Sequence, residues 1–264
     1  MKTQRLRLVA AVAVLATALT GCSQAGDPAK TASAPPPSAA ELLMKSVPAA
    51  DSVRYRFVVK GGDAPLAGVL DAAAKSYRYD VTQVNNDPHF KMTMNFLFVD
   101  SKSWVRIAFT EAGGVTGLPR LPKKWMLLDR SKLKGDDALP SPADDESDPG
   151  ATSAIMSAIV AAEQTSPGHF AGTTDLTKQG EAAIVDAKTI TALGAKAKSL
   201  AFTAVTDGSG RLSSVVVKIP AVGKTKAHQY AVTYADYGTV PSPAEPSAGD
   251  QQKAPAAAYE MLNG

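Results

Sequence analysis

Cysteine occurs once in the 264 residues, at Cys22. A disulfide needs two, so no intrachain bridge supports the fold, and buried apolar side chains have to hold it together alone. Metal sites built on clustered cysteines are excluded by the same count. Histidine is nearly as scarce. His89, His169 and His228 each begin a separate alternating segment, and none stands at a metal-ligand or catalytic-triad spacing from a partner. Nucleophile elbows and phosphate loops are missing too. Gly208-Ser209-Gly210 lacks the residues around the serine that the first needs and the terminal lysine that the second needs, and reads as a turn. Asp129 and Asp207 are the acids an acid pair would draw on, yet both border strand ends. The expectation is therefore no catalytic residue, no cofactor and no metal site, and a protein that is not an enzyme.

Long apolar runs are absent as well. The longest, Leu8–Leu19, has twelve residues, whereas a membrane-spanning helix needs about 20. Excess charge is also missing beyond the first few residues. The chain carries 28 Lys and Arg against 25 Asp and Glu, and Lys2, Arg5 and Arg7 account for the whole difference. A neutral remainder without a basic cluster offers no footprint for nucleic acid, whose binding rests on neutralising phosphates.

What is present begins with those three basic residues, the apolar run behind them, and Leu19-Thr20-Gly21-Cys22. Basic start, short apolar segment and small residues before a cleavage point form an export signal, expected over 1–21. Residues 22–37 follow as a Ser-, Ala- and Pro-rich tether closed by Pro35-Pro36-Pro37. In polyproline form the stretch from Ser23 to Pro37 reaches about 45 Å, enough to lift a domain clear of lipid headgroups.

Ser38-Ala39-Ala40-Glu41 predicts a capping box, and Pro48 ends the helix it opens. From Ser52 the apolar period becomes two. Val53, Tyr55, Phe57 and Val59 share one side, which predicts a half-buried strand. Further alternation at 66–72, 77–84, 90–98, 104–110 and 125–128 predicts an antiparallel meander of about six strands. Phe90, Met92, Met94, Phe96 and Phe98 take one side of the long fourth strand, and Lys91, Thr93 and Asn95 the other.

Residues 135–150 carry six acids, three prolines and no base, which predicts a solvated loop between two halves. A second helix is expected over 151–163 on the stripe Ile155, Met156, Ile159 and Val160. A strand at 169–176, a short helix ending at Gly194, and strands at 200–206, 211–219 and 228–235 complete the domain. Residues 239–264 are rich in Pro, Ala and Ser and read as a partly disordered tail.

Leu19-Thr20-Gly21-Cys22 matches the lipobox of bacterial lipoproteins. The segments Ser52-Val53-Arg54-Tyr55-Arg56-Phe57, Trp104-Val105-Arg106 with Lys124-Trp125-Met126, and Asp207-Gly208-Ser209-Gly210-Arg211-Leu212 resemble actinobacterial lipoproteins of the LppX and LprG type, mycobacterial glycolipid carriers. The resemblance implies a thioether-linked diacylglycerol on Cys22 and placement on the outer face of the cell membrane. It implies one LolA-like domain over 38–238, of the α+β class: a strongly curved, incomplete antiparallel β-barrel with two or three short helices on its concave face. The acidic loop and the extended tail depart from that family.

A non-enzymatic, membrane-anchored binder of a lipid, glycolipid or other apolar ligand is the reading this favours. Val53, Tyr55, Phe57, Phe90, Met92, Met94, Phe96 and Phe98 are its candidate lining, with methionine suited to variable ligands. Simple core packing explains the same residues, and the strand register decides whether Lys91, Thr93 and Asn95 face inward instead. The alternative is a surface interaction or sensory lipoprotein without a cavity, presenting the acidic loop and the tail to a cell-envelope protein.

Overall fold

The computed structural model describes residues 36–49, 52–62, 65–134, 139, 148–180 and 184–264. Cys22, the export signal and most of the acidic loop lie outside the described residues. A compact unit runs from Pro37 to Gly264.

Helix α1, Ala39–Ser46, opens with the expected reciprocal cap. The Ser38 backbone N–H donates to Glu41 Oε2 at 2.7 Å, and the Glu41 N–H donates to Ser38 Oγ at 3.3 Å. Leu43 is fully buried on its inner face. The meander follows as β1 (Tyr55–Lys60), β2 (Leu66–Asp71), β3 (Ser76–Asn86), β4 (His89–Val99), β5 (Lys102–Thr110) and β6 (Trp125–Leu127). The second half holds α2 (Thr152–Ser157), β7 (Ile159–Ser166), β8 (His169–Thr174), α3 (Ala187–Leu193), β9 (Leu200–Thr206), β10 (Leu212–Ile219) and β11 (His228–Ala235). β12 (Gln251–Lys253) and α4 (Ala256–Leu262) end the chain.

The twelve strands among the described residues join one sheet in the order β12-β6-β5-β4-β3-β2-β1-β11-β10-β9-β8-β7. Every neighbouring pair is antiparallel except β12 with β6. The fold is α+β, with an open, mostly antiparallel sheet that does not close into a barrel. Residues directly opposite each other share a face, so the register traces one apolar row across nine strands: Phe170, Ala204, Val215, Val232, Val59, Leu66, Val81, Met94 and Ile107. The main core lies on this face, where Leu43, Ile155, Met156 and Ala258 from the helices join it.

Two glycines on the core face leave room for a neighbour's ring. Phe57 lies opposite Gly68, and Phe202 opposite Gly172. A Cβ on Gly68 would meet the Arg78 carbonyl oxygen at 2.0 Å and Phe57 Cζ at 2.7 Å, and one on Gly172 would meet the Ala161 oxygen at 2.1 Å and Phe202 Cε1 at 2.8 Å. An aromatic ring lying over a glycine is a device of bent sheets.

Three expectations need correction. Val53 precedes β1 instead of belonging to it, and is 51% exposed. The helix expected over 151–163 stops at Ser157. Ile155 and Met156 pack in the core, but Ile159 and Val160 begin edge strand β7, with Val160 59% exposed. The β-branched pair followed by the Pro167-Gly168 turn lets this segment hairpin onto β8, and pairing outweighs the helical period.

The third correction concerns 239–264. Val240 is buried and its carbonyl accepts from Arg54 Nε at 2.6 Å. Ser76 Oγ donates to the Pro243 carbonyl, Ser242 Oγ to Asp71, and Lys102 pairs with Glu245 at 2.8 Å. Trp104 Nε1 donates to Gln251 Oε1 at 2.8 Å at the first residue of β12, where that strand adds itself to the sheet. Asp71, Ser76, Lys102 and Trp104 stand on the face opposite the core, where Val69, Leu97 and Trp104 are also buried. The segment is a strap whose backbone is held by partners far away in sequence, which composition does not reveal.

Candidate apolar ligand cavity

Strand direction sorts the sheet into two ends. The register places the C-termini of β1, β3, β5 and β10 together with the N-termini of β2, β4, β9 and β11. The strap runs along the other end, beside the row Asp71, Ser76 and Lys102. At the first end, on the core face, a cavity of about 590 Å³ opens over β3, β4 and β5. Ligand pockets commonly measure about 300–1,000 Å³.

The cavity is built from the strands outward. Phe90 and Phe109 meet edge to face with ring centroids 5.9 Å apart, Met92 lies opposite Phe109, and Gln83 lies opposite Met92. Leu118 and Pro119 from the long β5–β6 loop and Met261 from α4 complete its apolar wall. Among the described residues no acid or base lines it; Gln83, Asn85 and Asn86 supply its polar groups.

Charge collects instead on the other face of the same strand ends. Glu111 Oε2 lies 3.0 Å from His89 Nε2, and Oε1 lies 2.5 Å from Lys91 Nζ. The hydrogen bond from Lys91, and then that from His89, hold the Glu111 carboxyl below its ordinary value.

The predicted lining divides along β4. Phe96 and Phe98 stack at 6.5 Å and are 3% and 2% exposed, and Tyr55 and Phe57 are fully buried. These four belong to the packed core. Met94 is half-buried beside them, while Phe90 and Met92 line the cavity. Val53 lies apart, beside Arg211 and Tyr237 at the strap end.

The register puts Lys91, Thr93 and Asn95 on the opposite face, where Asn95 donates to Asp80 at 2.6 Å and accepts from Arg106 Nε at 3.4 Å. Phe109 was within reach of the sequence, since it shares the alternation of Val105 and Ile107. Leu118, Pro119 and Met261 were not, because no periodicity links loop and terminus to a strand.

The other candidate groups are engaged locally. Asp129 Oδ1 accepts from Ser131 N–H and Oγ, and Asp207 pairs with Arg211 at 2.7 Å. Among the described residues no three His, Cys, Asp or Glu side chains gather as a metal site.

The end of the acidic loop is not solvated as composition suggests. Asp148 Oδ1 accepts from Tyr234 Oη and from Thr152 Oγ1, both at 2.8 Å, and Asp148 Oδ2 accepts from the Ser153 N–H at 2.6 Å. Tyr230 Oη donates to the Gly150 carbonyl at 2.9 Å. Burial, and then the nearby Asp148 carboxylate, push the Tyr234 and Tyr230 hydroxyls upward. The loop thus ends in an anchor on β11.

No family model matches the chain, and no curated protein matches it. Its functional reading rests on its own residues and their arrangement. No helix among the described residues is long and apolar enough to cross a membrane.

Proposed function

We propose that this chain is a membrane-anchored, extracytoplasmic lipoprotein that binds a lipid or other apolar ligand and catalyses no reaction. The observation carrying the ligand reading is the cavity at Phe90, Met92 and Phe109, apolar in its walls and set where the core face of the sheet changes from packed to half-open. The lipobox-like Leu19-Thr20-Gly21-Cys22 behind a short apolar run supports the anchoring. Two acyl chains on Cys22 hold a protein at a bilayer where one binds marginally.

In this reading the sheet is a strongly curved, incomplete barrel with helices on its concave face. The ring-over-glycine pairs and the helical residues in the core-face cluster support that shape. The ligand's apolar part lies along Phe90 and Met92 beneath α4, and flexible methionines at Met92 and Met261 fit chains of differing length.

The test is lipid extraction and native mass spectrometry of the protein isolated from its own membranes. A bound apolar species is expected, reduced at least tenfold when Met92→Trp and Phe109→Trp fill the cavity. A clean ligand-free mass under gentle conditions would remove the ligand reading.

A further inference from the structure

A second and larger cavity, of about 710 Å³, lies at the same end of the sheet over β9, β10 and β11. It shares no lining residue with the first, and β1 and β2 intervene between the strands that form the two. Its base is apolar: Leu200 begins β9, Ile219 ends β10, and the two are 3% and 1% exposed. Pro220 and Ala227, at the two ends of the β10–β11 turn, extend that surface.

The chemistry of its rim differs from that of the first. Lys196 and Lys218 line it, both exposed, and neither forms an ion pair with any described residue. No acid lines it. Lys224 and Lys226 in the adjoining turn add charge of the same sign and are likewise without an ion pair among the described residues. His228 Nδ1 donates to the Lys226 carbonyl at 3.1 Å.

Two lysines beside an apolar wall attract anions and repel cations, and the positive potentials of the two add and are less screened next to a low-dielectric wall. We propose that this cavity binds an amphiphile with an anionic head. Its apolar portion lies on Leu200, Ile219 and Pro220, and its carboxylate or phosphate is met by Lys196 and Lys218. A neutral lipid leaves the lysines unmatched, and a bare anion leaves the apolar base unused. Selectivity therefore requires both parts in one molecule. The site is independent of the ligand proposed at Phe90 and Met92, whose cavity carries no charged group.

The experiment titrates the full chain, freed of co-purifying lipid, with fluorescent cis-parinaric acid and with its methyl ester. Saturable binding of the acid is expected, weaker for the ester by at least tenfold and weakened by added salt. Lys196→Glu with Lys218→Glu should weaken the acid at least tenfold, while Lys253→Glu on β12 leaves it unchanged. Both lysines are exposed and form no ion pair among the described residues, so the double variant is expected to fold, which circular dichroism checks. Displacement by dodecanoate or by dodecyl phosphate tells which head is preferred, and either supports the assignment. Equal binding of acid and ester, an unchanged affinity in the lysine double variant, no saturable binding of the acid, or displacement by inorganic phosphate at the same concentration as dodecyl phosphate would each overturn it.

Discussion

Tyr234 and Asp148 are joined by a hydrogen bond of 2.8 Å, 86 residues apart in sequence. One comes from the middle of the sheet and the other from the end of the acidic loop, so the bond fastens the link between the halves to β11. Removing the carboxylate in Asp148→Ala strips Tyr234 of its acceptor there and leaves the Ser153 N–H unpaired. A loss of about 2–3 kcal/mol is expected, since hydrogen bonds to a charged partner contribute about 1.5–3 kcal/mol. Asp148→Asn keeps an acceptor and should cost less than half as much. Urea unfolding of the three proteins checks this, and equal losses for Ala and Asn would defeat the argument.

Alkaline pH is expected to unfold the chain cooperatively. Burial is the first cause raising the hydroxyls of Tyr55, Tyr230, Tyr234 and Tyr237; Asp148 comes next for the first three and Asp207 for Tyr237. An unfolded tyrosine ionises near ~10. Above that pH the folded chain binds more protons than the unfolded one, so stability falls as pH rises; below it the contribution is intact. Tyrosinate absorbance should therefore appear in one step together with loss of circular dichroism. A gradual titration of all tyrosines with the fold intact would contradict it.

Gly68→Ala and Gly172→Ala should each destabilise strongly. The added Cβ meets a backbone carbonyl oxygen at 2.0 Å or 2.1 Å, and neither oxygen can move without breaking the strand register. Overpacking of this kind costs about 1–3 kcal/mol, occasionally more. Gly113→Ala, where nothing lies within 4 Å, is the comparison. Thermal melts of the three variants decide, and similar midpoints would show that the sheet relaxes around the methyl groups.

The C-terminal strap is expected to be part of the folding unit. Tyr259 Oη accepts from the Asp129 N–H at 2.8 Å, and its ring centroid lies 5.5 Å from Lys132 Nζ. Tyr259→Phe should cost about 1 kcal/mol. Truncation after Asp250 removes β12 and α4, uncovering Trp104 and taking away the cavity wall at Met261. The truncated chain should show red-shifted tryptophan emission and a lower unfolding midpoint. An unchanged spectrum would mean that the strap contributes nothing to the cover over Trp104.

Cys22→Ala should release the protein from the membrane without altering the unit from Pro37 to Gly264. On the anchoring proposal the variant lacks two acyl chains, and with them many methylenes at about 0.8 kcal/mol each, which the nearly uncharged residues 23–37 cannot replace. Cell fractionation with a fatty-acid probe measures it. Equal labelling and equal membrane retention in both forms would defeat the anchoring proposal.

Local features were readable from the residues alone. The cap at Ser38 and Glu41 involves positions three apart, and the strand alternation at Phe90–Phe98 or Val215–Ile219 is a property of a few neighbours, so each survives into the structure unchanged. The Phe90–Phe98 period separated the two sides of β4, and the register then turned the apolar side to the core and Lys91, Thr93 and Asn95 away from it.

What the sequence by itself determined is therefore ten of the twelve strands, the first helix cap and the division of each alternating strand into two sides, since period and capping depend on residues a few positions apart. The tertiary structure alone decided the pairing of β1 with β11, the conversion of Ile159 and Val160 from helix to edge strand, and the anchoring of Asp148 and the C-terminal strap. It also decided which residues of one apolar face are core and which line a cavity. Phe90 and Phe98 share a strand, a side and a chemistry, and they differ only in what covers them, which is set by Leu118, Pro119 and Met261 from distant parts of the chain.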